Sequence, residues 1–225
     1  MKALILCGGK GTRFNNGKPG PLKPLIKVNG VPILRHIINI YKKNNINNFI
    51  LLGGYKFEEL KKFSKKNKDV NITTIFTGVN TNTGGRILAI KKIIKDENFL
   101  LTYGDSLADF SLKPALKLKK ENNFVMSVYE YKFMYGLIDT IVRTNEIKDM
   151  KEKKTFKINA GFYVLDKDIF NYIKNKTESF EKKVINRVLN SKKKFVTNVV
   201  KNWFPMDNKK DQKNIQEFFL NKIKF

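Results

Sequence analysis

Leu4-Ile5-Leu6-Cys7-Gly8-Gly9-Lys10-Gly11-Thr12-Arg13-Phe14, closed by Leu22-Lys23-Pro24, decides how this chain is read. The apolar run Ala3 to Cys7 has the length and composition of a buried strand. It stops at Gly8, Gly9 and Gly11, where bare backbone N–H groups can meet a phosphate with no side chain in the way. Arg13 and Lys23 add fixed positive charge at the same place. The first reading is a cradle for a polyphosphate.

The same pattern recurs outward from there. An apolar strand at Phe49 to Leu52 ends in Gly53-Gly54-Tyr55, and another at Phe99 to Tyr103 ends in Gly104-Asp105-Ser106. Helical spacing follows at Ile33 to Tyr41, Glu58 to Lys66 and Lys113 to Glu121, with strands at Val70 to Phe76 and Phe124 to Tyr129. Thr77 to Gly85 reads as a polar loop and Arg86 to Lys95 as a helix. Asn29-Gly30-Val31-Pro32 reads as a turn. Continuous apolar strands alternating with helices argue for a parallel sheet covered on both faces. In such a sheet the carboxyl ends of the strands share one edge, and ligands bind in the crevice there. The three glycine turns are therefore expected to be neighbours around one site. Asp105 is placed to hold a metal, because Mg²⁺ on a nucleotide takes one or two protein carboxylates. The competing reading of Asp105 is a cap on the following turn.

From about Tyr131 the rhythm changes. Gly136 to Val142, Glu146 to Met150 and Lys157 to Leu165 read as strands with short connections, so antiparallel pairing is expected. Helices at Lys167 to Lys174 and Phe180 to Leu189, a strand at Phe195 to Val200 and a last helix at Lys209 to Ile223 complete the chain. No linker or internal repeat interrupts it. The expectation is one α/β domain over 1–225, with a nucleotide-binding half at 1–130 and an elaborated half at 131–225.

Bulk properties narrow the function. The 225 residues, 41% hydrophobic with 18 Phe, suit a globular domain with a real core. No apolar run approaches the roughly 18–20 residues of a membrane span. Met1-Lys2 leads straight into a strand with no signal-peptide pattern, so a cytoplasmic location is expected. The single Cys7 excludes an internal disulfide framework and reads as a small core residue. His36, the only histidine, falls in a helix with no second ligand to complete a site. The formal charge of +25 invites a nucleic-acid reading. However, the lysines are spread over every helix, and no nucleic-acid-binding signature is present. A composition rich in Lys, Asn and Ile accounts for that charge, and nucleic acid is not the expected partner.

Two phosphate motifs fail. A Walker A loop needs Gly-Lys-Ser/Thr, but Gly17-Lys18 is followed by Pro19, and the dinucleotide fingerprint needs a glycine where Phe14 stands.

Gly8-Gly9-Lys10-Gly11-Thr12-Arg13 followed by Lys23-Pro24 instead resembles the sugar-1-phosphate nucleotidyltransferase family. The likeness continues through Gly54-Tyr55-Lys56, Thr83-Gly84-Gly85-Arg86, Tyr103-Gly104-Asp105, Tyr135-Gly136, Glu152-Lys153, Ile158-Asn159-Ala160-Gly161-Phe162 and Pro205-Met206-Asp207. Within that family the chain is most similar to the glucose-1-phosphate cytidylyltransferases. It departs from the pattern at Leu22 and Lys154, where prolines are common, and is shorter between Phe63 and Thr77.

The resemblance implies a Rossmann-like, glycosyltransferase-A-like fold: a mostly parallel mixed sheet flanked by helices, with a smaller antiparallel elaboration in the C-terminal half. It implies transfer of a nucleotidyl group from CTP to glucose 1-phosphate, with Mg²⁺ as cofactor, for surface polysaccharide synthesis. By the same resemblance Arg13 holds the leaving pyrophosphate, Lys23 the α-phosphate, and Asp105 and Asp207 the metal. Leu6, Gly8, Gly9, Gly11, Thr12, Thr83, Gly84, Gly85 and Arg86 belong to the nucleotide site. Tyr103, Gly136, Glu152, Lys153 and Asn159 belong to the site for the sugar and its phosphate. A different acceptor (a heptose phosphate or phosphocholine), a non-catalytic nucleotide sensor, and either a monomer or a homo-oligomer stay open.

Overall fold

The computed structural model describes residues 1–12, 14, 17–95, 98–141 and 143–220. In chain order the first elements are β1 (Ala3–Leu6), a 3₁₀ turn (Lys23–Leu25), β2 (Lys27–Val28), β3 (Val31–Pro32), α1 (Ile33–Lys42), β4 (Asn48–Gly53), α2 (Phe57–Lys66) and β5 (Asn71–Phe76). Then come α3 (Thr83–Leu88), β6 (Asn98–Tyr103), β7 (Ser106–Ala108), α4 (Leu112–Glu121), β8 (Phe124–Lys132), β9 (Leu137–Thr140), β10 (Ile147–Lys151) and β11 (Thr155–Asp166). A 3₁₀ segment (Lys167–Tyr172), a π-helix (Phe180–Ile185), α5 (Asn186–Leu189), β12 (Phe195–Val200), β13 (Trp203–Pro205) and α6 (Lys209–Leu220) follow.

Seven strands form one sheet in the order β12-β8-β11-β6-β1-β4-β5. Only β11 runs against its neighbours, β6 and β8, while the other pairings are parallel. The mostly parallel, mixed sheet implied by the sequence is thus present. Alternation along β1 explains its unbroken apolar run: Ala3, Ile5 and Cys7 join the core under α1, α2 and α4, whereas Leu4 and Leu6 join the core on the opposite face. Phe49 and Leu51 of β4 divide from Ile50 and Leu52 in the same way. A strand buried on both faces has no polar position to show.

Several expectations are corrected. Asn29-Gly30 does turn, with φ of 48° and 79°, but it closes the small hairpin β2–β3. The helix expected at Arg86 to Lys95 begins three residues earlier, at Thr83, and ends at Leu88. Asn82 caps its first N–H, and Gly84 and Gly85 are admitted because each lies against the backbone of 176–178, where a Cβ would collide. The expected helix at Lys167 to Lys174 is a 3₁₀ segment, and the one at Phe180 to Leu189 opens with six residues of π-helix. β13, which the sequence does not announce, pairs antiparallel with β7. In the last helix, residues 221–223 lie outside the described residues. No described helix is long and apolar enough to cross a membrane.

Candidate active site

The three glycine turns meet as expected. Gly104 N–H donates to the Leu6 carbonyl (3.0 Å), Cys7 N–H to Leu52 (2.9 Å) and Tyr55 N–H to Gly8 (3.2 Å). A Cβ on Gly104 would lie 2.8 Å from Pro24 Cγ and 2.9 Å from Leu6 O, so no larger residue fits between β1 and the loop carrying Lys23.

Arg86 ties the turns together. Its guanidinium donates to the carbonyls of Gly8 (2.9 Å), Gly53 (3.0 Å) and Gly78 (2.9 Å) and to Thr77 Oγ1 (2.6 Å). Only 4% of the residue is exposed, and burial pulls its pKa below the usual arginine value. Gly8 and Gly54 give the guanidinium its room, since a Cβ on either would stand 2.2 or 2.6 Å from its atoms. Arg86 therefore spends its donors on three backbone carbonyls and the Thr77 hydroxyl while forming part of the cavity wall.

Beyond β1, Lys23 Nζ lies 2.7 Å from Asp105 Oδ2 and 3.0 Å from Asp207 Oδ1. The two carboxylates come from distant parts of the chain. The β7–β13 pair sets Ser106 opposite Pro205, and Met206 N–H donates to Asp105 O (2.9 Å), which fixes both beside Lys23. Asp207 N–H donates to Asp211 Oδ2 (2.8 Å), anchoring the start of α6. A cation bridging two acids at contact distance is the arrangement a divalent ion would take.

These groups border a cavity of 640 Å³ whose walls include Leu6, Gly8, Gly9, Thr83, Arg86, Tyr103, Asp105, Asn159 and Asp207. A smaller one of 210 Å³ beside it is lined by Gly11, Thr12, Lys23 and Asp105. Asn159 reaches the wall because the β8–β11 register slips between Asn159 and Tyr163, a bulge that re-aims side chains. Its amide donates to Tyr163 Oη (2.6 Å) and accepts from Gly161 N–H (2.9 Å). Gly161, at φ +80°, packs against the Tyr103 ring, where a Cβ would sit 2.7 Å from Cδ2. The Tyr103 hydroxyl and Trp203 Nε1 are buried without a hydrogen-bond partner among the described residues.

The remaining expected residues divide. Gly84 and Gly85 are buried packing positions behind the wall and do not line the cavity. Gly136, Glu152 and Lys153 are exposed on and beside the β9–β10 hairpin and are not in the wall either. That hairpin pairs only with itself, so no sheet contact draws it to the strand ends. Arg13 lies outside the described residues. Trp203, two residues before the Pro205-Met206-Asp207 stretch, and Glu181, which no motif marks, also stand in the wall. Glu181 sits on the π-helix within the stretch read as a helix at Phe180 to Leu189, where an acidic residue beside lysines carries no sign of a site.

His36 is half-buried on α1, with Nε2 3.2 Å from Val28 O, and takes no part in the cavity. Cys7 is buried, and burial, with the Asp105 charge adding to it, raises its pKa far above the ordinary thiol value. At neutral pH it is a thiol. Iodoacetamide should leave Cys7 unmodified in the native protein and label it after unfolding; native labelling at the unfolded rate would contradict this placement.

Comparison with known proteins bears on what such a cavity serves. The family model for nucleotidyl transferase matches residues 2–211. The chain is 37% identical over 197 residues to a probable glucose-1-phosphate cytidylyltransferase from Bacillus subtilis, covering 77% of this chain and 78% of that one. It is 34% identical over 184 residues to a D-glycero-alpha-D-manno-heptose 1-phosphate guanylyltransferase from Campylobacter jejuni, covering 76% and 78%. In fold it matches a crystal structure of HddC from Yersinia pseudotuberculosis complexed with GMP-PN, with a TM-score of 0.79, 22% identity and coverage of 97% and 99%. With strand-end glycines, a basic and acidic cluster and a nucleotide-sized cavity in place, the chain belongs to the nucleotidyl transferase family and is an enzyme of the sugar-1-phosphate nucleotidyltransferase kind.

Proposed function

We propose that this enzyme joins CTP and glucose 1-phosphate into a nucleotide sugar and pyrophosphate, in the cytoplasm, for surface polysaccharide synthesis. The observation that carries the reaction type is the Lys23 ammonium, in the wall of the smaller cavity, held between Asp105 and Asp207 of the larger one's wall. A cation already seated between the two carboxylates supports their fit to a bridging ion, and Mg²⁺ is the ion proposed. Bound there, Mg²⁺ supplies positive charge to the phosphate oxygens around the reacting phosphorus. The 37% identity to a probable glucose-1-phosphate cytidylyltransferase supports the choice of base and sugar.

The chain's own residues act by position and charge. A non-bridging oxygen of the sugar phosphate forms a bond to the α-phosphorus in line with the α–β bridging oxygen. The bond to that bridging oxygen breaks, and its electron pair leaves with pyrophosphate. The nucleophile is already ionised near neutral pH, the second phosphate pKa being about 6, so no general base is needed. This agrees with a lone histidine outside the cavity. Lys23 neutralises charge on the α-phosphate, Arg13 steadies the departing pyrophosphate, and the backbone of Leu6, Gly8 and Gly9 frames the nucleoside. The half at 1–130 serves the nucleotide and the half at 131–225 the acceptor.

A second reading keeps the chemistry and changes the substrates to GTP and a heptose 1-phosphate, favoured by the 34% identity to the guanylyltransferase. Pyrophosphate release from each of four nucleoside triphosphates, paired with glucose 1-phosphate, a heptose 1-phosphate and phosphocholine, separates them. The expected result is highest kcat/KM for CTP with glucose 1-phosphate, abolished by EDTA and restored by Mg²⁺. Preference for GTP with the heptose 1-phosphate would replace the first reading with the second.

A further inference from the structure

Apart from Asp105 and Asp207, the wall of the 640 Å³ cavity holds a single carboxylate among the described residues, Glu181. It does not gather with the other two into a group of three metal-ligating side chains among the described residues. Glu181 is half-buried. In a chain with 45 lysines and arginines it makes no ion pair among the described residues. An unpaired carboxylate facing a cavity that handles phosphates is unfavourable unless it meets neutral hydrogen-bond donors.

The carboxylate is also held in one orientation. Ser179 Oγ donates to Glu181 Oε2 at 2.8 Å, and Thr83 Oγ1 donates to the same oxygen at 3.2 Å. Each hydroxyl in turn accepts a backbone N–H: Lys182 N to Ser179 Oγ (3.2 Å) and Phe180 N to Thr83 Oγ1 (2.8 Å). Those incoming bonds leave each hydroxyl proton to donate outward, and for Thr83 the carboxylate at 3.2 Å is nearer than the Asn82 amide oxygen at 3.5 Å. Oε2 is thereby occupied, and Oε1 has no partner among the described residues. An oriented acceptor with one oxygen to offer suits a hydroxyl of a sugar, which is neutral and donates.

We propose that Glu181 is a specificity-determining residue that accepts a hydrogen bond from a hydroxyl of the acceptor sugar. This rests on the nucleotidyl-transfer reading above and deepens it. Glu152 and Lys153 are not in the wall, and Asp105 and Asp207 are engaged by Lys23, so the wall carboxylate left to meet a neutral hydroxyl is Glu181. A site built around a polar partner rejects an analogue lacking that partner strongly, because the buried acceptor is left unpaired.

The test measures Glu181→Ala and Glu181→Gln against wild type, using CTP with glucose 1-phosphate and its monodeoxy analogues. In Glu181→Ala the kcat/KM for the acceptor should fall by about tenfold to a hundredfold, while the KM for CTP stays within about twofold. One deoxy analogue should be as poor with wild type as the full sugar is with Glu181→Ala, and should lose nothing further in that variant. Glu181→Gln, whose amide oxygen still accepts and whose shape is kept, should fall between the two and guards against a folding loss. Independent, multiplicative losses for every analogue would overturn the proposal. So would a rise in the KM for CTP alone, which would place Glu181 on the base. Absence of product from wild-type enzyme with CTP and every acceptor would overturn the CTP and glucose 1-phosphate reading, whereas product from wild type with the pattern above missing would overturn this proposal alone.

Discussion

Replacing Asp105 by alanine is expected to lower nucleotidyl transfer by about a thousandfold, equivalent to about 4 kcal/mol of transition-state stabilisation, and to leave the fold intact. In the proposed mechanism the loss is large because Asp105 and Asp207 are the two acids at Lys23 Nζ, and removing either takes away half of the negative charge offered to the proposed Mg²⁺. The fold survives because Asp105 is partly exposed and Lys23 keeps its 3.0 Å contact with Asp207. Asp207→Ala should behave alike, and the double variant should lose little more than either single one, because the pair acts as a unit. The checks are initial rates of pyrophosphate release and a thermal melt. Near wild-type turnover in either single variant would exclude that residue as a ligand of the catalytic ion.

Arg86→Ala should have the largest effect on stability, about 3–5 kcal/mol. Removing the guanidinium leaves the carbonyls of Gly8, Gly53 and Gly78 without a shared donor in a buried place, and opens a void beside Gly8 and Gly54. For a chain of this size the melting temperature should drop by roughly 6–20 °C. Arg86→Lys should recover only part of that, because one ammonium cannot reproduce a planar fork aimed at several oxygens. The family resemblance implies nucleotide binding for Arg86. Its hydrogen bonds make it first a tie between three loops, and any effect on the KM for nucleotide should accompany the loss of stability. A melting temperature unchanged in Arg86→Ala, with nucleotide affinity alone reduced, would reverse that assignment.

Much of the fold is legible in the sequence because the decisive signals are local. Ala3 to Cys7 and Phe49 to Leu52 are buried on both faces, so their apolar runs announce parallel strands, and glycines at their ends announce where those strands stop. The convergence of Gly8, Gly53 and Gly104 follows from topology alone. Other features depend on partners far along the chain. Gly84 and Gly85 look like loop residues until the backbone of 176–178 is set against them, which turns them into helix residues chosen for their lack of a side chain. β13 is three residues long and pairs with β7 from a distant part of the chain, so no periodicity reveals it. Glu181 is hidden because its place in the wall depends on Thr83, 98 residues away, which with Ser179 holds its carboxylate through a hydroxyl. Gly136, Glu152 and Lys153 carry a family pattern, but pattern alone does not say that their hairpin stands apart from the main sheet.

The proposed reaction needs one cavity to bring a nucleoside triphosphate and a sugar phosphate together for displacement at the α-phosphorus. Its most direct test follows both products when CTP, glucose 1-phosphate and Mg²⁺ are mixed with the enzyme. Nucleotide sugar and pyrophosphate should appear in equal amounts, and neither should form when the sugar phosphate is left out. Release of cytidine monophosphate by water without an acceptor, or nucleotide binding with no turnover under any pairing, would contradict that mechanism.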